Sequence, residues 1–143
     1  MAVILASSCL LGCECRYKGD GCKCDALIKL AESNTIIGVC PEQMGGLPTP
    51  RDPERQGDKV ISCAGKDVTK AYTKGAETAL YFAKLNHVDF AVMKAKSPSC
   101  GKGLIYDGTF TGNKIPGNGV TVELLNANGI PVFTEDELDQ LPL

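Results

Sequence analysis

Four short apolar runs, residues 3–8, 35–39, 90–94 and 130–133, alternate along this chain with stretches whose apolar residues recur at helical spacing. A short run without polar alternation is what a strand covered on both faces requires, and such strands belong to parallel sheets with helices packed above and below. The β-α-β-α order therefore predicts an α/β fold, a single three-layer domain over residues 1–143 with a mostly parallel sheet and helices on both faces. A chain of 143 residues is long enough to bury one such core without disulfide staples.

The helical stretches have their own signals. Leu27, Leu30 and Ala31 share one face of residues 25–31, and Val68, Ala71, Tyr72, Gly75, Ala76, Ala79, Leu80 and Ala83 share one face of a long helix over residues 68–86. The small side chains of that face suit close packing, and Asp67 is placed to cap its start. Residues 120–128 form a shorter helix that follows Gly117-Asn118-Gly119 and is closed by Gly129. Thr134 with Glu137 matches the capping box of a last helix. Residues 40–59, dense in Gly, Pro and charge, read as an extended loop that leaves directly from a strand end, where such loops tend to be functional.

Charge narrows the partners. Fifteen basic against 17 acidic side chains give a formal net charge of −2, which makes no electrostatic case for a nucleic-acid groove or a membrane surface. No apolar run is long enough to cross a bilayer, and the apolar first residues have neither a basic leader nor a small-residue cleavage site. The expectation is a cytoplasmic protein that acts on a small molecule. Eight cysteines in such a chain point to metal or redox chemistry rather than to a disulfide framework.

Three of those cysteines have the same address. Cys9, Cys40 and Cys100 each follow an apolar run, and in an open parallel sheet ligands bind outside the carboxyl ends of the strands. They lie 31 and 60 residues apart in sequence, but successive βα units would bring them together in space. Three thiolates can hold a four-iron cluster with one iron open, or a zinc ion with one position left for water. Against this stands the simpler reading of three buried thiols acting as small hydrophobes.

Other residues join the candidate site. Glu42, two positions after Cys40, is a natural proton carrier, and Ser97 and Ser99 offer hydroxyls just before Cys100. Arg16, Arg51 and Lys94 can orient an anionic or carbonyl-bearing substrate. Cys13, Cys15, Cys22 and Cys24 form two C-x-C pairs able to build a closed zinc site or to stand as incidental loop thiols, and Cys63 falls into neither group of cysteines. His87, the lone histidine, falls at the end of the long helix, where a cation suits the helix dipole.

The blocks SSCLLGCECRYKG, VCPEQMGGLPTPRDPER, GKDVT, KAKSPSCGKGLIYDGTFTG and GNGVTVELLNANGIPVF together resemble the thiouracil desulfidase, or TudS-like, family over nearly the whole chain. The resemblance implies a [4Fe-4S] cluster held by Cys9, Cys40 and Cys100, with the fourth iron left to take substrate sulfur. It also implies catalytic roles at Glu42 and at Ser97 or Ser99, and a non-redox desulfuration that replaces the sulfur of a small thiolated molecule by oxygen and releases sulfide. Cys15 falls in the familiar part of the first block, whereas Cys13, Cys22 and Cys24 are additional to it. Two rival readings remain: a zinc hydrolase using the same three thiols, and a non-catalytic metal or sulfur carrier centred on the first loop. The sequence carries no signal of oligomeric state.

Overall fold

The computed structural model describes residues 1–14, 21–48 and 53–143. The apolar runs form four parallel strands, β1 (Val3–Ser7), β2 (Thr35–Val39), β5 (Phe90–Met93) and β8 (Val132–Thr134), in the spatial order β2-β1-β5-β8. Leu5 pairs with Ile37 on one side and Ala91 on the other, and Val92 pairs with Phe133, so β1 and β5 are the interior strands. Their side chains alternate between two apolar layers, which is why these runs lack polar alternation. Ile4, Ala6, Phe90 and Val92 enter the layer that also holds Leu27 and Leu10. Leu5, Ala91 and Met93 enter the layer that holds Ala79, Ala83, Val122 and Leu125. Each fully buried Ile, Leu or Phe contributes about 1.5–3 kcal/mol.

The covering helices are α1 (Asp25–Lys29) on the first layer and α3 (Thr69–Leu85) with α4 (Val120–Ala127) on the second. α1 is shorter than residues 25–31, because the chain tightens into a 3-10 turn at Leu30–Glu32. α3 starts one residue later than expected, with Val68 rather than Asp67 at the cap, but the Asp67 carboxylate still accepts from Thr69 N at 2.9 Å. α4 ends at Ala127 with Asn128 as its C-cap, and Gly129 follows at φ 77°. The capping box at Thr134 and Glu137 is present, yet it opens a 3-10 segment, Glu135–Gln140, rather than an α-helix.

Residues 40–59 differ most from expectation. Instead of one extended loop, the described part contains a one-turn helix α2 (Pro41–Met44) and, from Glu54 onward, a two-stranded hairpin of β3 (Glu54–Gln56) and β4 (Lys59–Ile61). The hairpin closes through Gly57-Asp58, with Gly57 at the φ of 61° that a two-residue turn asks of its first position. A second hairpin, β6 (Leu104–Tyr106) with β7 (Lys114–Pro116), follows β5. No helix among the described residues is long and apolar enough to cross a membrane.

Candidate active site

The chain passes from β1 to β2 on one side, then returns past β1 to place β5 on its other side. At such a reversal the loops leaving the carboxyl ends of adjacent strands diverge and open a crevice. Here the crevice is a cavity of about 580 Å³ bounded by Ser7 at the end of β1, Val39 at the end of β2 and Lys94 just past β5.

Cys9, Cys40 and Cys100 all line it. Cys9 sits in a 3-10 turn (Ser8–Leu11) closed by Gly12, whose φ of 102° only glycine adopts readily. Its carbonyl also accepts from Cys22 N at 2.9 Å, while Cys24 N donates to Leu10 O at 2.8 Å. The described part of the first loop thus braces the Cys9 turn through backbone hydrogen bonds. Cys40 caps α2, with Pro41 at the first helical position and Glu42 in the first turn. Cys100 is seated by Ser97, whose Oγ accepts from Ser99 N and Cys100 N, each at 3.1 Å. Gly119 lets the start of α4 press on this loop, since a Cβ there would lie 2.4 Å from Ser99 O.

Cys9 and Cys100 are buried and Cys40 is half-buried. Burial pushes the Cys100 thiol up to about 12, against the pull of hydrogen bonds from the Ser7 and Ser99 hydroxyls; Glu42 and Cys40 push it further in the same direction as burial. Burial thus makes this thiol a poor nucleophile, and a bound metal charge would favour its thiolate. Among the described residues no three His, Cys, Asp or Glu side chains stand close enough to hold a single metal ion. Three thiols spread round one cavity instead suit a polynuclear group that fills the space between them.

Glu42 lines the cavity though it is 92% removed from solvent, and the buried Tyr72 hydroxyl donates to its Oε2. Tyr72 belongs to the apolar face of α3, so its sequence pattern announces packing and hides this contact. Ser97 also lines the cavity; with its acceptor positions used by two backbone N–H groups, its O–H is what it can offer a ligand. Ser99 does not reach the wall: it is fully buried and its Oγ bonds Thr121 Oγ1 at 2.7 Å. Lys94 reaches the wall, with its ammonium in an ion pair with Glu135 at 2.8 Å.

The two hairpins bring residues that sequence spacing did not. Glu54, Cys63, Tyr106 and Phe110 line the cavity, Cys63 from an exposed turn just after β4. Cys13 is exposed and Cys22 and Cys24 are half-buried, and none of the three lines the cavity. Cys15, Arg16 and Arg51 lie outside the described residues. His87 follows α3 at φ 51° and does not line the cavity.

Fold and cavity define an α/β protein with a thiol-lined site at the switch point of a parallel sheet. The family model for 2-thiouracil desulfurase matches residues 4–137, and the chain belongs to that family. It is 41% identical to an uncharacterised protein of Bacillus subtilis strain 168, YbbK, over 97% of this chain and 99% of that one. Among solved structures it is similar to a [4Fe-4S]-dependent thiouracil desulfidase, TudS, with a TM-score of 0.94 and 42% identity, covering 99% of this chain and 95% of the other.

Proposed function

We propose that this protein is an iron–sulfur-dependent desulfidase that replaces the thiocarbonyl sulfur of a thiouracil-like molecule by oxygen, without net redox change. The observation that carries the reading is the meeting of Cys9, Cys40 and Cys100 on one cavity wall, together with Glu42 and Ser97. Membership of the 2-thiouracil desulfurase family supports it, as does the likeness to a desulfidase that depends on a [4Fe-4S] cluster.

Cys9, Cys40 and Cys100 would hold the cluster, each from a different strand end. When bound, the cluster would supply a Lewis acid for soft thiocarbonyl sulfur. Glu42, oriented by Tyr72, would take the two protons of the attacking water in turn, the first as it adds to the thiocarbonyl carbon and the second as the carbonyl forms, and pass each to the departing sulfur. The Ser97 O–H positions that water or the substrate. Water and thiocarbonyl thus become carbonyl and hydrogen sulfide. The oxygen-sensitive group and the thiol-rich chain fit the reducing cytoplasm.

The test is anaerobic. Protein loaded with iron and sulfide releases sulfide from 2- or 4-thiouracil, and the same protein loaded with zinc does not. Sulfide release by the zinc form, or none by the iron form, overturns the reading.

A further inference from the structure

Phe110 carries a feature that packing does not account for. Among the described residues only His87, Lys96 and Phe110 have positive φ without being glycine, and Lys96 and Phe110 line the cavity. His87 is of a type found more often with such a backbone; a bulky aromatic at φ 60° is an outlier that persists only where its surroundings over-determine it.

The surroundings do so from three sides. Glu54 Oε1 accepts from Gly108 N at 3.2 Å and from Phe110 N at 3.3 Å. Gln56 Nε2 donates to Gly108 O at 2.7 Å, and Gly108 presses so closely on β3 that a Cβ there would lie 2.8 Å from Arg55 O. Asp107 Oδ1 accepts from both Thr109 N at 2.9 Å and Thr109 Oγ1 at 2.6 Å. The loop between β6 and β7 is thus clamped onto the first hairpin, with the half-buried Phe110 on the cavity wall.

Phe110 belongs to neither apolar core. The other aromatic on the wall, Tyr106, has the Lys114 ammonium over its ring at 5.2 Å. Among the described residues, Phe110 is therefore the aromatic ring on the wall that has no cation over it.

We propose that Phe110 is a stacking plate for the planar ring of the substrate and that Glu54 is the positioning residue that holds it there. The inference rests on the desulfidase reading and sharpens it: the site selects thiolated six-membered heterocycles over acyclic thioamides that carry the same C=S group. Stacking of a base on an aromatic side chain is strong enough to change affinity about tenfold or more.

The experiment uses anaerobically loaded holoenzyme and two readouts. Binding of uracil, the ring without the reactive sulfur, is measured by calorimetry, and sulfide release is measured from 2-thiouracil and from thioacetamide. Phe110→Leu, which keeps bulk and loses the ring, and Phe110→Gly, which relieves the backbone, are each expected to weaken uracil binding about tenfold or more. Each should raise KM for 2-thiouracil by a similar factor, cut kcat/KM for thioacetamide at least fivefold less, and retain the parent's iron content. The Phe110→Gly melting temperature should not fall below the parent's. Glu54→Ala should follow the Phe110 variants, and Glu54→Gln, whose amide oxygen still accepts, should restore most of the binding. Parental uracil affinity in Phe110→Leu, or an equal loss on both sulfur substrates, overturns the stacking role. A parent that binds uracil but releases no sulfide overturns the desulfidase reading and leaves the stacking comparison to be judged on binding alone.

Discussion

Gly75→Ala tests how the fold aims its site. Gly75 lies inside α3, where alanine is intrinsically better by about 1 kcal/mol, so propensity alone predicts a more stable protein. The structure predicts the reverse. A Cβ at Gly75 would stand 1.8 Å from Pro41 O and 3.3 Å from Gly45 N. That is about 1.5 Å short of ordinary contact with the carbonyl, and backbone atoms cannot swing aside as a side chain tip can. Pro41 O and Gly45 N are also the two ends of a 2.9 Å hydrogen bond that closes the single turn of α2. Relief requires α2 to move off α3, and α2 carries Cys40 and Glu42 at its start. Overpacking costs about 1–3 kcal/mol, enough to cancel or outweigh the helical gain, and a shift of about 1 Å at a reacting group costs about 10²-fold in rate. The expected result is a melting temperature no higher than the parent's, lowered iron content after anaerobic loading, and a rate lower by about two orders of magnitude. A more stable Gly75→Ala protein with full iron and activity would show that the α2–α3 contact does not set the site.

Glu42→Gln should keep the parent's iron and visible spectrum while sulfide release falls by about 10²–10⁴-fold, because the amide keeps shape and loses the proton carrier. Tyr72→Phe removes a hydroxyl that donates to the Glu42 carboxylate and should lower kcat more than it raises KM, with iron content unchanged. Cys100→Ala should lose colour and activity together, whereas Cys63→Ala, altering a thiol on an exposed turn at the same wall, should keep its iron; iron analysis of both variants separates the ligands from the neighbour. Hydrogen bonding from Lys102 holds the Glu137 carboxyl below its ordinary 4.5, so the stability it adds is present above that pH and lost as pH falls through the lowered value. Lys102→Met should therefore melt earlier than the parent at neutral pH, and the gap should close as the pH falls through the lowered Glu137 value.

The sheet was legible because its strands are buried on both faces, which leaves unbroken apolar runs, and the cysteines were legible because each follows such a run. β1 ends at Ser7 rather than at residue 8 because the chain turns at once into the 3-10 turn that seats Cys9. The hairpins were not legible in the same way: strands of three residues in Gly- and Pro-rich stretches show no period. Gly57-Asp58 between ERQ and KVI was the signal available for the first of them. With the hairpins went Glu54, Cys63, Tyr106 and Phe110, all of which reach the cavity by tertiary docking alone. Ser97 and Ser99 differ by two positions in a loop that has no fixed period, so only the structure separates the residue on the wall from the one bonded to Thr121. Tyr72 counted as core because the packing and the hydrogen bond use opposite ends of one side chain.

The central claim is that three thiols hold a four-iron group and leave one iron to the substrate. Mössbauer spectroscopy of anaerobically loaded protein, recorded with and without 2-thiouracil, addresses it most directly. The account predicts one iron environment distinct from the other three, shifted by 2-thiouracil in the parent while the other three stay in place. Four equivalent irons that ignore 2-thiouracil, or a loaded form that binds fewer than four, would contradict it.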